Sequence, residues 1–149
     1  MNYSKLIRNA GRVYVIGNGG SFANAIHIAN DLLNAGIAAH TMDAATLTAF
    51  ANDYGYDQAF KRWIMTVGRR DDLLIALSGS GRSKNICAAV RKAKIRYMTV
   101  LGITGAYEAN PPLANICHHV IRRGRTMQEA EEYQVLFGHQ MMRALHKNV

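Results

Sequence analysis

Five short runs of apolar and β-branched residues punctuate the chain: Arg12 to Ile16, Ile37 to Thr41, Leu73 to Leu77, Tyr97 to Leu101 and Ile116 to Ile121. Each has the length of one strand and is too short for a helix of ordinary size. Between most of them lie longer stretches with apolar positions at helical spacing: Ser21 to Asn34, Ala44 to Ala51 followed by Asp57 to Val67, Ser83 to Lys94, and a final stretch from Thr126 to His146. Strand and helix in alternation imply right-handed crossovers between parallel strands, and strands that are almost wholly apolar are those buried on both faces. The pattern therefore predicts an α/β fold, a three-layer α/β/α sandwich on a five-stranded parallel sheet. No repeat or low-complexity stretch interrupts it, and the longest loop-like region, Gly102 to Pro112, is too short to link domains. Residues 1–149 are expected to form a single domain.

Composition narrows the function classes. Lys and Arg number 18 against 10 Asp and Glu, a formal charge of +8, and such a surface concentrates anions. The cations are scattered, as in Lys61-Arg62, Arg69-Arg70 and Arg122-Arg123, and form neither a tract nor a DNA-reading motif. Nucleic acid is therefore not the expected partner. Two cysteines, Cys87 and Cys117, are too few for a disulfide framework and lack zinc-ribbon spacing. No apolar run is long enough to span a bilayer, and Met1 to Arg12 lacks the apolar core of a secretory leader, so a cytoplasmic protein is expected.

In open parallel sheets, ligands bind at the carboxyl ends of the strands, and two of those ends are rich in glycine and serine. The first strand runs into Gly17-Asn18-Gly19-Gly20-Ser21. Small residues there let backbone amides approach a ligand at a helix N-terminus; a tight turn with Ser21 as helix cap fits the same residues. Phe22 stands where a dinucleotide fingerprint needs its third glycine, and no Lys-Ser/Thr ending marks a Walker loop. The third strand ends in Ser78-Gly79-Ser80-Gly81-Arg82-Ser83, which gathers three hydroxyls and several amides at the next helix start. That is donor chemistry suited to a phosphate.

Together these residues resemble the sugar isomerase (SIS) domain family and, within it, the phosphoheptose isomerases that act on sedoheptulose 7-phosphate. Gly17 to Ser21 with Ala25-Ile26-His27 is similar to that family's first loop and helix. Ala51-Asn52-Asp53-Tyr54-Gly55-Tyr56-Asp57 with Phe60 is similar to its Asn-Asp segment, and Ser78 to Asn85 to its S-T-S-G-N-S-x-N phosphate loop. The resemblance implies the SIS fold. It also implies phosphate binding by Ser78, Gly79, Ser80 and Ser83, and sugar contacts from Asn18, Gly19, Gly20, Asn52 and Asp53, with Ser21 and Glu131 in the same substrate-binding set. Asn52 and Asp53 fit equally well as caps of the helix that follows.

His27 and Asp31 are spaced i, i+4, and Glu131 and His139 i, i+8, so each pair shares a helix face. Two helices that each offer an imidazole and a carboxylate can build a zinc or related divalent site, and the resemblance points to the same four positions. There the family has His, Glu, Gln and His; this chain has Asp31 and Glu131 in the two middle places. The resemblance casts Asp31 as the base and His139 as the acid or relay. Ala35 stands where the family has an arginine, a part for which Arg82 is the nearby candidate. The expected function is aldose–ketose isomerisation of a phosphosugar, namely sedoheptulose 7-phosphate, through an enediol. The expected partner is a second copy in a dimer or tetramer, whose form is expected to differ because the first strand comes so early. The alternative is a non-catalytic SIS module that binds a phosphosugar as a signal or serves a protein partner, like relatives that associate with a replication initiator.

Overall fold

A computed structural model describes residues 1–146. Five parallel strands, β1 (Val13–Ile16), β2 (Ala39–Thr41), β3 (Leu73–Ser78), β4 (Thr99–Thr104) and β5 (His119–Arg122), form one sheet in the order β2-β1-β3-β4-β5. The helices are α1 (Tyr3–Arg8), α2 (Gly20–Asn34), α3 (Ala44–Tyr54), α4 (Tyr56–Val67), α5 (Lys84–Ile95), α6 (Pro112–Ile116) and α7 (Met127–His146). Alternate strand residues feed two cores, one on each face. Val13, Val15, Leu73, Ile75, Leu101 and Ile103 pack with Ile28, Leu32 and Phe137, from α2 and α7. Tyr14, Ile16, Leu74, Ala76 and Val100 pack on the other side with Phe60, Ile64, Ile86 and Val90, from α4 and α5. This is the predicted α/β/α sandwich. Burying apolar side chains on both faces supplies the main driving force, at roughly 25 cal/mol per Å² removed from water.

Some boundaries depart from the sequence pattern. The short helix α1 is an addition: Asn2 Oδ1 accepts from Lys5 N, and Ile7 is fully buried in the first core. The run Tyr97 to Leu101 predicts a strand that in fact begins at Thr99 and continues to Thr104, past Gly102. Tyr97 itself sits in a left-handed turn at φ 60. The run Ile116 to Ile121 is divided between the end of α6 and β5.

Chain order places the site. From β1 the chain crosses by α2 to β2 at one edge, then returns by α3 and α4 to β3 on the other side of β1. The strand order thus reverses about β1, which opens a crevice at the carboxyl ends of β1 and β3. Both glycine and serine loops leave from those ends. Finally, α7 packs beside α2, with Asn24 Nδ2 donating to the Glu131 carbonyl and to Gln134 Oε1, both at 2.9 Å.

One fold contact makes stability depend on pH. Val100 N donates to His118 Nδ1 at 3.0 Å, joining β4 to the segment before β5. Burial first, then Lys94 and His119, hold the His118 pKa below its ordinary value. The folded pKa therefore lies below the unfolded one, so the stabilisation is present above about pH 6.5 and is lost as pH falls through that value toward the folded pKa. Urea midpoints measured near pH 7.5 and near pH 5.5 should fall farther for the wild type than for His118→Asn, which keeps an acceptor and does not titrate.

Candidate functional site

The first loop is shaped by two backbone demands. Gly19 has φ +55 with ψ −121, a conformation that side chains oppose. Gly17 lies so close to the first turn of α2 that a Cβ there would stand 2.5 Å from the Ser21 carbonyl oxygen. The cap of α2 is Gly19, without a side-chain hydrogen bond, so Ser21 is not the cap that the sequence allowed; it is buried in the first turn.

The second loop folds on its own hydroxyls. Gly81 N donates to Ser78 Oγ at 3.0 Å, Ser78 Oγ and Ser83 Oγ lie 3.3 Å apart, and Arg82 N donates to Ser80 Oγ at 3.2 Å. Ser83 occupies the cap position of α5 without making the side-chain capping bond. The helix N-terminus, with its positive dipole end, therefore opens toward the loops. Between the loops lies a cleft of about 240 Å³ lined by Asn18, Gly19, Gly20, Ser21, Ser78, Gly79, Ser80 and Ser83, together with Leu77, Met127 and Glu131. Nine of the sequence-derived residues, Glu131 among them, are thus brought to one cleft.

Arg82 does not stand in for the arginine that Ala35 replaces. Its Nε pairs with Glu108 Oε2 at 3.1 Å and its Nη2 donates to the Ala109 carbonyl at 2.8 Å, which turns the guanidinium to the segment after β4. Asn52 and Asp53 lie outside the cleft lining. They are exposed at the end of α3, where Asn52 Nδ2 donates to Asp53 Oδ1 at 3.1 Å, and the cap of α4 is Gly55, so neither caps that helix.

Farther along α2 and α7 lies a second group. His27 Nε2 is 2.9 Å from His139 Nε2, and Asp31 Oδ2 is 3.3 Å from the first and 3.8 Å from the second. Asp31 is buried against Gly138, where a Cβ would stand 3.3 Å from Oδ2, and that oxygen has no hydrogen-bond partner. Two imidazole nitrogens facing each other across an orphaned carboxylate oxygen form a donor set that a divalent cation fits. The fourth expected ligand, Glu131, is not in this group. Eight residues of helix separate it from His139, about 12 Å of rise, and its carboxylate lies instead by Gly20, where a Cβ would stand 2.6 Å away.

Residues 2–105 match the SIS domain. The chain belongs to the SIS domain family. It is 36% identical over 142 residues to the phosphoheptose isomerase of Rhodospirillum rubrum, covering 89% of this chain and 74% of that one. It is 44% identical over 107 residues to that of Burkholderia pseudomallei (strain 1710b), where the match covers 66% of this chain and 54% of the relative. It thus spans about half the length of such curated relatives. The structure of the Neisseria gonorrhoeae phosphoheptose isomerase superposes with a TM-score of 0.88 at 30% identity, over 97% of this chain and 81% of that chain.

Within the SIS domain, sequence reasoning missed Tyr56 and Asn85, which hold Asn18 at the cleft, and Asn24 and Gln134, which join α2 to α7. Each matters through a hydrogen bond to a distant segment: Tyr56 and Asn85 to Asn18, and Asn24 to Gln134. Asn85 lay inside the phosphate-loop motif and Tyr56 inside the Asn-Asp segment, and those were the signals available for them.

Proposed function

We propose that the chain is a phosphosugar aldose–ketose isomerase whose substrate is sedoheptulose 7-phosphate. The observation that carries this reading is the pairing of a cleft between the two glycine and serine loops with a carboxylate and imidazole group on α2 and α7, helices that also line the cleft through Gly20, Ser21 and Glu131. From Gly20 in the cleft to His27 is seven residues of α2, a rise of about 10 Å, comparable to the reach of an open-chain sugar phosphate.

The serine hydroxyls, the loop amides and the start of α5 would hold the phosphate, while Glu131 accepts hydrogen bonds from sugar hydroxyls. Phosphate binding far from the carbonyl supplies orientation that is then used at the reacting carbons. Asp31, whose Oδ2 lies 3.3 Å from His27 Nε2, would take the proton from the carbon beside the carbonyl, giving the enediol. His139 would move a proton between the two oxygens of that intermediate. His27, Asp31 and His139 would hold a divalent ion such as zinc, which supplies polarisation of the substrate oxygens when bound. Exposed Ile26, Leu33 and Leu136 on α2 and α7 support assembly with further copies of the chain. Among the described residues no helix is long and apolar enough to cross a membrane, and we assign the enzyme to the cytoplasm.

Proton NMR of sedoheptulose 7-phosphate in deuterium oxide tests the chemistry. With zinc added, the wild type is expected to exchange the protons beside the carbonyl at an enzymatic rate, on the order of 1 per second or faster. Binding with no exchange, with or without zinc, would instead identify a phosphosugar-binding module.

A further inference from the structure

Three side chains from separate segments close a network at the wall of the cleft. Asn18 Nδ2 donates to Asn85 Oδ1 at 2.8 Å, and Asn85 Nδ2 donates back to Asn18 Oδ1 at 2.8 Å. The Tyr56 hydroxyl donates to the same Asn18 oxygen at 2.7 Å. A single backbone group sets the sense of the whole arrangement. Ile86 N–H, which can only donate, reaches Asn85 Oδ1 at 3.0 Å, so the atom there must be the oxygen. Asn18 must then turn its nitrogen to Asn85 Oδ1 and its oxygen to Asn85 Nδ2. Two donors occupy Asn18 Oδ1, and one N–H of Asn18 Nδ2 remains uncommitted. Asn18 lines the cleft, so its side chain offers the ligand a donor rather than an acceptor.

We propose that Tyr56 is a positioning residue that ties the first loop to α4, so that the Asn18 amide, whose sense Asn85 sets, presents its free N–H to an oxygen of the bound sugar phosphate; this rests on the phosphosugar reading above. The two partners of Asn18 differ in kind. Asn85 is 2% exposed and anchored to α5, whereas Tyr56, 49% exposed, stands at the first residue of α4 and ties the first loop to that helix. Phenylalanine at position 56 leaves one lone pair of Asn18 to compete for water and lets the loop move relative to α4. The ring is half exposed and its removal from the network opens no core cavity, so the fold is not expected to suffer. The reacting group lies farther along α2, and the loss should therefore appear in binding rather than in the chemical step.

The test compares wild type and Tyr56→Phe, using calorimetry with sedoheptulose 7-phosphate, deuterium-exchange kinetics on the same compound, and side-chain amide NMR of Asn18. The expected result is a Kd and KM raised about tenfold, the scale of one lost hydrogen bond to a bound ligand. It comes with kcat within about twofold, faster hydrogen exchange at Asn18 Nδ2 and an unchanged melting temperature. An unchanged Kd overturns the proposal, as does a lowered melting temperature with kcat and KM affected alike, which would mark Tyr56 as structural. Wild type that binds without exchange would defeat the isomerase reading and leave this test standing, because Kd is its readout. Wild type that does not bind the sugar phosphate would remove both.

Discussion

An Asp31→Asn variant should lose about a thousandfold of its deuterium-exchange rate, within the range attributed to a well-placed general base. The amide has nearly the shape of the carboxylate and can fill the space against Gly138, but it can neither accept a substrate proton nor balance a divalent charge. Zinc affinity, measured by calorimetry on the same protein, should fall in parallel, because among the described residues Asp31 supplies the carboxylate grouped with His27 Nε2 and His139 Nε2. Turnover within tenfold of wild type would exclude Asp31 as the base. Loss of turnover with zinc affinity intact would separate the proton-transfer role from ligation and assign the ion to the imidazoles.

The second large effect is on the fold. Gly17→Ala should destabilise the protein by about 3 kcal/mol, at the upper end of what overpacking usually costs, and lower the melting temperature by about 10 °C. The added methyl would meet the backbone of Ser21, 2.5 Å from its oxygen and 2.6 Å from its carbonyl carbon. No side-chain rotation relieves such a clash; the turn from β1 into α2 has to open. Chemical denaturation gives the magnitude, and a loss below about 1 kcal/mol would show that the loop relaxes freely.

The sheet was legible because its strands are buried on both faces, and nearly continuous apolar runs such as Leu73 to Leu77 have no other ready explanation. Where the pattern misplaced an element, tertiary contacts set the boundary. Gly102 reads as a strand ending, yet β4 continues through it because Cys117 packs on that spot, with Sγ 2.8 Å from where a Cβ would be. Helix α1 is too short to declare itself by periodicity and is held by its Asn2 cap, the burial of Ile7 and the bond from Arg8 Nη2 to the Leu145 carbonyl. The site divides in the same way. His27 and Asp31 were legible from spacing within one helix, and the structure brings His139 to them. Glu131 was paired with His139 by the same logic, but a shared helix face does not bring two residues separated by two turns to one point. Arg82 could be read as a free cation only while its partner Glu108, 26 residues away, was out of view.

The His27–His139 juxtaposition spans 112 positions, which bears on how the protein is born. A nascent chain emerging from the ribosome carries both glycine and serine loops long before α7 has been synthesised. Until that last helix docks, such a chain has both loops but neither His139 nor the Glu131 that lines the cleft between them. Both the cleft and the His27, Asp31 and His139 group therefore wait on the docking of one helix, and neither is complete before it.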